Sequence, residues 1–317
     1  MNSDWLSSVK DGVHINELAL PGTHDAASWT KDEDSWTTPG TWAQRHSITE
    51  QLDLGVRVLD LRVGWTRGWN WYIGMYHNVI YVGLTLEEVL NDIQIWLTQH
   101  PREFVILIFQ QQGATSKADL SSELRQMVRD TFGNALHRFD PTQIEWPTVG
   151  ELRGKVLGMG RLKKDVQEFC DVRTWLTDGN NTDGVVLKAG THLRIFLQDR
   201  FSGLSKQDGY ESIDKDNKKK FAIVKSAATA QPKVLRRQLL RINHMSYSNL
   251  RYQPYESGEG MNTLLRKSSL EIRGVLMLDD ADDATVSHVL KQNVQHYQPV
   301  RSGGMQVQYR AGRGWEV

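Results

Sequence analysis

Eight short, apolar and largely β-branched runs recur along the chain, and they constrain its fold more than any other feature. Near-continuous apolarity over five or six residues is typical of strands that are buried on both faces of a sheet. The runs are LALPGTH (18–24), VRVLDLRV (56–63), MYHNVIYV (75–82), FVILIFQQQ (104–112), KVLGMGR (155–161), LRIFLQD (193–199), LLRINHMSY (239–247) and GVLMLDD (274–280).

Segments with helical periodicity lie between most of these runs. The clearest is 84–101, where apolar residues recur at helical spacing and Pro101 is a stop signal. Residues 116–133 end on Gly133, a C-cap signal, and 283–297 form the last helical segment. Strands that alternate with helices predict a parallel sheet, and eight of them predict an irregular (β/α)8 TIM barrel. An open, doubly wound sheet is the alternative, because the connection between 62 and 75 is too short and too rich in glycine and tryptophan for a helix.

Length and composition narrow the class of protein. A chain of 317 residues fits one α/β barrel, so we assign residues 1–300 to a single barrel domain and 301–317 to a tail without an assigned role. Lysine plus arginine equals aspartate plus glutamate, at 38 each, which argues against a nucleic-acid partner held by bulk charge. No run approaches the length of a transmembrane helix, and the single cysteine, Cys170, excludes an intramolecular disulfide. We expect the charged run DKDNKKK at 214–220 to be a solvated helix face or loop tip.

Polar or charged groups stand at the end of nearly every apolar run, where an α/β barrel carries its chemistry. They include two histidines, several carboxylates and two arginines: His24 with Asp25, Asp60 with Arg62, His77, Gln110 to Gln112, Arg161, Asp199 with Phe201, Ser246 with Tyr247, and Asp279 with Asp280. Paired imidazoles serve general acid–base catalysis near neutral pH, and arginine stabilises charge on phosphate. A lone histidine is more often structural, but the convergence of so many run ends favours a site that cleaves a phosphodiester.

Three motifs in order, LPGTHDAAS, GVRVLDLRVG and MYHN, resemble the X domain of phosphatidylinositol-specific phospholipase C. The similarity continues more loosely through HPREFVILIF, RGKVLGMGR, IFLQDRF, INHMSYSN and VLMLDD, over roughly residues 15 to 297. The chain is similar to the small, single-domain, bacterial-like type. The resemblance implies a distorted TIM barrel that converts phosphatidylinositol into diacylglycerol and inositol 1,2-cyclic phosphate. It also implies a monomer that binds the membrane surface transiently, and secretion as a mature form without a signal peptide, with the cytoplasm as the alternative.

The resemblance implies acid–base roles for four residues. His24 is expected to be the general base on the inositol 2-hydroxyl, and His77 the general acid for the diacylglycerol leaving group. Asp279 is expected to orient His24, and Asp25 to assist His77. Neighbours on an extended chain point in opposite directions, so His24 and Asp25 are not expected to be each other's partners.

Arg62 is the residue from which we predict whether the enzyme needs a metal ion. The resemblance implies that Arg62 binds a non-bridging phosphate oxygen and that Asp60 holds Arg62. The calcium-dependent branch of the family binds its ion with Asn, Glu, Asp and Glu side chains, and the matching positions here are Asp25, Asp60, Arg62 and Gln112. Since calcium needs oxygen ligands, an arginine in this set predicts an enzyme without a metal or other cofactor.

Four further residues are expected to bind the inositol headgroup. The resemblance implies hydrogen bonds from Arg161 and Asp199 to inositol hydroxyls. Two positions depart from the bacterial enzymes: Gln110 stands in place of a lysine, and Phe201 in place of a tyrosine that stacks under the inositol. Both changes leave open which inositol lipids are bound.

The chain contains 11 tryptophans, several of which cluster near the first motifs. Trp36 and Trp42 follow the first motif, while Trp65 and Trp69 lie in the connection before His77. At the rim of the active site these indoles would suit a lipid interface, and Trp42 is similar in position to a membrane-inserting tryptophan of the bacterial enzymes. The alternative is that the rings cover the open end of the barrel as core.

Two other functions remain open. One is a metal-dependent glycerophosphodiester phosphodiesterase, or a related phospholipase D, on the same barrel. The absence of a Glu-x-Asp pair at 60–62 argues against it. The other is a catalytically idle lipid-binding module, which has no chemical reason to keep this set of acid–base groups.

Overall fold

The structure is a computed structural model that describes residues 2–29, 41–113, 119–204, 212–247 and 254–298. The strands of these residues are β1 (Ala19–Thr23), β2 (Val58–Arg67), β3 (Trp71–His77), β4 (Ile80–Thr85), β5 (Phe104–Gln111), β6 (Leu136–His137), β7 (Lys155–Arg161), β8 (Cys170–Asp171), β9 (Val185–Lys188), β10 (Arg194–Gln198), β11 (Leu239–His244) and β12 (Gly274–Leu278). The α-helices are α1 (Ile48–Leu54), α2 (Leu86–Gln99), α3 (Ser121–Phe132), α4 (Val149–Leu152), α5 (Ile213–Thr229), α6 (Pro254–Arg266) and α7 (Asp283–Leu290).

The strands form one sheet whose main path runs in the order β6-β7-β5-β2-β1-β12-β11-β10-β9. Pairing along this path is parallel except between β10 and β9. Seven of the eight predicted runs supply its long parallel strands, β1, β2, β5, β7, β10, β11 and β12. Within the described residues no ladder joins β7 to β10, so this irregular α/β barrel is open on one side.

The third apolar run, 75–82, was wrongly predicted to be a barrel strand. Instead, β2 continues past the barrel to Arg67, β3 returns antiparallel beside β2, and β4 pairs antiparallel with β3. Met75 pairs with Val63, and His77 pairs with Ile80. The connection is too short for a crossover helix, so the chain reverses direction as a hairpin, which antiparallel strands permit. His77 therefore reaches the barrel mouth from the end of a hairpin strand.

The helix signals of the sequence are confirmed for α2 and α3. The Thr85 hydroxyl accepts a hydrogen bond from the Glu88 N–H, and the Glu88 carboxylate accepts one from the Thr85 N–H. This capping box starts α2, which ends two residues before Pro101. Helix α3 ends at Phe132, and Gly133 follows with a φ of 51°.

The charged run at 214–220 is a solvated helix face only in part, since Asp214, Lys215 and Lys218 are exposed. It lies in α5, where Asp216, Asn217 and Lys220 are buried against the barrel. Spacings of three and four residues place these side chains on one helix face together with Phe221. Lys220 Nζ donates to the Arg200 carbonyl at 2.5 Å, which satisfies a cation that the sequence pattern assigned to solvent.

None of the described helices has the length and apolar character of a membrane-spanning segment. The proposed tail at 301–317 lies outside the described residues.

Candidate active site

His24 and Asp279 meet where β1 and β12 leave the sheet side by side. These strands pair in parallel up to Thr23 and Leu278, so the next residue of each chain stands at the same level. Nδ1 of His24 lies 2.8 Å from Oδ1 of Asp279, and Nε2 of His24 lies against Nη2 of Arg62. A guanidinium only donates hydrogen bonds, so Nε2 is the acceptor nitrogen. The Nδ1–H therefore donates to Asp279 and leaves a lone pair on Nε2.

Asp25 and His77 form a second pair. The chain turns sharply after β1, because Asp25 adopts a φ of 48°. This turn directs the Asp25 carboxylate away from His24 and into the site, where Oδ2 lies 3.4 Å from Nε2 of His77. Asp25 is almost fully buried. The structure thus brings together the two His–Asp pairs that the sequence analysis expected.

Arg62 lies between the two pairs. Its Nε atom is 3.3 Å from Oδ2 of Asp60 and 3.8 Å from Oδ2 of Asp25. Asp60 also accepts a hydrogen bond from the Asp25 N–H at 3.2 Å. Residues two apart on β2 share a face, which explains why Asp60 and Arg62 are neighbours. A fixed positive charge therefore occupies the space between the carboxylates.

Burial sets the protonation of the two pairs. Burial and the nearby Arg62 lower the pKa of His24 to about 3, and the same two causes lower the pKa of His77 to about 3. Burial raises the pKa of Asp25 to about 8, although Arg62 opposes the change. Burial also opposes ionisation of Asp60, but Arg62 and His24 hold its pKa below the ordinary value. At neutral pH both imidazoles are therefore neutral, and the Asp25–His77 pair holds one proton.

Arg161 and Asp199 form a third polar group at the mouth. Nη2 of Arg161 lies 3.4 Å from Oδ2 of Asp199, which also accepts a 2.7 Å hydrogen bond from Nε1 of Trp175. The Arg161 guanidinium lies over the Trp175 ring, 4.7 Å from its centroid. Sequence reasoning missed Trp175, because this residue does not follow any of the predicted apolar runs. It lies in a short 3-10 helix.

His244 is a third histidine of the site that sequence reasoning missed. Its buried ring stands edge-to-face with His24 at 5.9 Å and with Trp175 at 5.6 Å. Burial lowers its pKa to about 3, although Asp199 opposes the change. His244 stands within the run LLRINHMSY, so the sequence showed a histidine near this strand end. The prediction instead chose Ser246 and Tyr247, which follow it, as the functional residues. The hydroxyl of Tyr247 instead donates to Asn217, on α5.

The remaining predicted headgroup residues differ in their surroundings. The register of β2, β5 and β7 places Arg62, Gln110 and Arg161 in one row. Oε1 of Gln110 is buried without a hydrogen-bond partner in the described part of the chain, so it can accept a bond from a bound group. Phe201 follows β10, and its ring is 36% exposed.

The predicted interface tryptophans divide into two kinds. Trp69, at the tip of the β2–β3 hairpin, is fully exposed, and Trp71 is 55% exposed. Trp65 packs partly against the core and stands edge-to-face with Trp71 at 6.5 Å. Trp42 is partly buried, and its carbonyl accepts a hydrogen bond from the Tyr255 N–H. Trp36 lies outside the described residues.

Comparison with known proteins identifies relatives of this chain. Residues 20–161 match the family described as phosphatidylinositol-specific phospholipase C, X domain. A 1-phosphatidylinositol phosphodiesterase of Listeria monocytogenes is 25% identical over 300 residues, which cover 91% of this chain and 84% of that protein. A 1-phosphatidylinositol phosphodiesterase of Staphylococcus aureus is 26% identical over 164 residues, and this match spans about half of each protein, 50% and 51%.

The fold is shared with solved structures as well. The phosphatidylinositol-specific phospholipase C of Listeria monocytogenes superposes with a TM-score of 0.65 at 22% identity, covering 92% of this chain and 98% of that one. This likeness confirms the predicted irregular TIM-barrel fold. The sequence similarity to the phosphatidylinositol-specific phospholipase C X domain therefore rests on residues 20–161, while the likeness of fold extends over most of the chain.

Proposed function

We propose that the protein is a phosphodiesterase of the phosphatidylinositol-specific phospholipase C type. It cleaves phosphatidylinositol into diacylglycerol and inositol 1,2-cyclic phosphate without a metal. One observation carries this proposal: two His–Asp pairs, His24–Asp279 and His77–Asp25, stand on either side of Arg62. A base, an acid and a fixed cation are the groups that an internal phosphodiester transfer requires.

The acid–base step follows from the protonation of the two pairs. Nε2 of neutral His24 takes the proton of the inositol 2-hydroxyl, and the bond from this oxygen to phosphorus forms. The bond from phosphorus to the glycerol oxygen breaks, and the Asp25–His77 pair gives its proton to that oxygen. Asp279 orients the His24 ring through the 2.8 Å contact to Nδ1, and burial raises the pKa of this carboxyl well above its ordinary value.

Arg62 couples substrate binding to this step. Its guanidinium binds a non-bridging phosphate oxygen, and Asp60 keeps it in place at 3.3 Å. In the free protein, Arg62 lowers the pKa of His24. A bound phosphodiester anion offsets that positive charge, so substrate raises the pKa of His24 and makes it a stronger base. The guanidinium occupies the space that a cation held by Asp25 and Asp60 would need, which supports a metal-independent reaction.

The headgroup subsite is proposed from the polar groups at the mouth. Arg161 and Asp199 bind inositol hydroxyls, Gln110 accepts or donates one more hydrogen bond, and Phe201 offers an apolar ring face. The exposed Trp69 places an indole on the side of the barrel where β2 ends, which supports transient contact with a membrane surface. Action as a monomer outside the cell is also part of the proposal, and it rests on the resemblance to secreted bacterial enzymes.

The test is an assay of purified protein on phosphatidylinositol vesicles, with and without EDTA, with phosphorus NMR to identify the product. We expect inositol 1,2-cyclic phosphate in both conditions. His24→Ala and His77→Ala should each lower the rate by about 10²–10⁴-fold, the usual contribution of a general acid or base. His100→Ala is the matched control, because His100 also pairs with an aspartate, Asp4 at 2.8 Å, away from the site.

Three outcomes contradict the proposal in different ways. Turnover of glycerophosphodiesters instead of phosphatidylinositol indicates the glycerophosphodiesterase alternative. Vesicle binding without any product indicates an idle lipid-binding module. Loss of activity in EDTA that calcium restores contradicts the metal-independent role of Arg62.

A further inference from the structure

Gln44 is a buried glutamine beside the His24–Asp279 pair. It lies in the segment between β1 and α1, and its side chain is 2% exposed. Nε2 donates to the carbonyl of His24 at 2.8 Å and to the carbonyl of Leu278 at 2.9 Å. Oε1 accepts a hydrogen bond from the Ala281 N–H at 3.2 Å. One carboxamide therefore binds the backbone on both sides of the pair.

These bonds come where the sheet no longer supplies any. The β1–β12 ladder ends at Thr23 and Leu278, and the His24 N–H makes the last backbone bond, to the Leu278 carbonyl at 2.9 Å. Beyond it the chain turns at Asp280, whose φ is 50°. Past this point the β1–β12 ladder makes no further bond. Asn262 binds the carbonyls of Asp279 and Asp280 from α6, and Gln44 is the side chain that binds both the His24 and the Leu278 backbone.

We propose that Gln44 is a positioning residue that keeps His24 and Asp279 in hydrogen-bond contact. Gln44 is the side chain that binds the backbone on both strands, at His24 and at Leu278, so it adds to the single backbone bond between His24 and Leu278. This inference rests on the proposed function, since it assigns Gln44 to the acid–base step of that reaction. Gln44 itself does not touch the reacting atoms.

Two variants separate positioning from general stability. Gln44→Glu keeps the volume but, when ionised, cannot donate to either carbonyl, and Gln44→Met removes all three bonds without adding a charge. The matched control is Asn16→Asp, at the opposite end of the barrel. Nδ2 of Asn16 likewise donates to two carbonyls, those of Arg236 at 2.8 Å and Leu239 at 3.0 Å, and the side chain is buried.

Kinetics on a short-chain, water-soluble phosphatidylinositol give the first readout. We expect both Gln44 variants to lower kcat by about 100-fold, the loss typical of a small displacement of a catalytic group. KM should change little, since Arg161 and Asp199 are untouched. Asn16→Asp should keep kcat near the wild-type value even if its melting temperature is as low as those of the Gln44 variants. A folded Gln44→Met variant with the kcat of Asn16→Asp overturns the proposal.

The second readout does not depend on activity. The hydrogen-bonded Nδ1–H of His24 should give a downfield proton resonance in wild type and Asn16→Asp, and this resonance should shift or disappear in Gln44→Met. If wild type shows no turnover, the proposed function fails, but the resonance still tests the positioning role. An unchanged resonance in a folded Gln44→Met variant overturns the inference even if the enzyme is active.

Discussion

Oδ2 of Asp25 lies 3.4 Å from Nε2 of His77, although Asp25 stands in the turn after β1 and His77 at the end of β3. Burial lowers the pKa of His77 and raises that of Asp25. The pair therefore keeps one proton at neutral pH, on the carboxyl rather than on the ring. This makes the pair, and not the histidine alone, the proposed source of the proton for the leaving group.

We predict that kcat/KM falls as the pH rises through about 8, because the Asp25–His77 pair then loses its proton. The acidic limb should lie well below the usual histidine range, since the pKa of His24 is lowered. In Asp25→Asn, His77 alone must hold the proton, so the alkaline limb should move to lower pH and kcat should fall about 10²-fold or more. A pH profile on soluble substrate checks this. An unmoved alkaline limb in Asp25→Asn argues against the shared proton.

Arg62→Lys should lower kcat/KM by about 10²–10³-fold while the charge is kept. Lysine is a point charge, whereas the planar guanidinium holds both Asp60 and a phosphate oxygen in fixed directions. Steady-state kinetics in EDTA checks the prediction, with Arg153→Lys as the control. Arg153 also binds an aspartate, Asp11 at 2.6 Å, but at the far end of the barrel. Near-wild-type activity in Arg62→Lys would show that orientation is unimportant.

Trp69→Ala should weaken binding to phosphatidylinositol vesicles by about tenfold and spare cleavage of a soluble substrate. Trp42→Ala should act in the same direction, more weakly, because Trp42 is partly buried. Vesicle sedimentation measures the binding. Leu235→Ala is the control, since Leu235 is an exposed apolar residue before β11, at the opposite end of the barrel. Equal losses on vesicles and soluble substrate would contradict a membrane-binding role for these tryptophans.

Lys220→Met should remove part of the pH dependence of stability. Burial lowers the pKa of Lys220 from 10.5 to about 7, so between these values the unfolded chain binds a proton that the folded chain does not. Lys220 therefore makes stability rise with pH across this window, by at most about 1.4 kcal/mol per pH unit. Urea unfolding at pH 7 and pH 9 checks the slope. Identical slopes in wild type and Lys220→Met contradict the assignment.

Local patterns were enough to predict much of the architecture. Seven apolar runs became the long parallel strands, since such runs are stable only when both faces are covered. Asp60 and Arg62 meet because residues two apart on a strand share a face. The stop signals Pro101 and Gly133 follow the ends of α2 and α3. Each of these features depends on neighbours in the chain.

Long-range packing decided the rest. The run at 75–82 has the apolarity of a barrel strand. It lies outside the parallel sheet path, because β3 pairs antiparallel with β2 as a hairpin. Lys220 lies in a run of charges, yet its helix face packs on the barrel. His244 and Trp175 join the site only because β11 and the segment after β8 converge on Asp199. Burial of this kind depends on segments that are distant in sequence.

The sequence by itself determined which chemical groups stand at the strand ends, and its motifs resemble the phosphatidylinositol-specific phospholipase C X domain. Only the tertiary structure decided how these groups are arranged and protonated. His24 and Asp279 are 255 positions apart, and the parallel ladder of β1 and β12 brings them to 2.8 Å. The pKa values of His24, His77 and Asp25 depart from their ordinary values chiefly because burial removes water from these side chains. Desolvation and through-space charge are properties of the folded chain, so no local pattern encodes them.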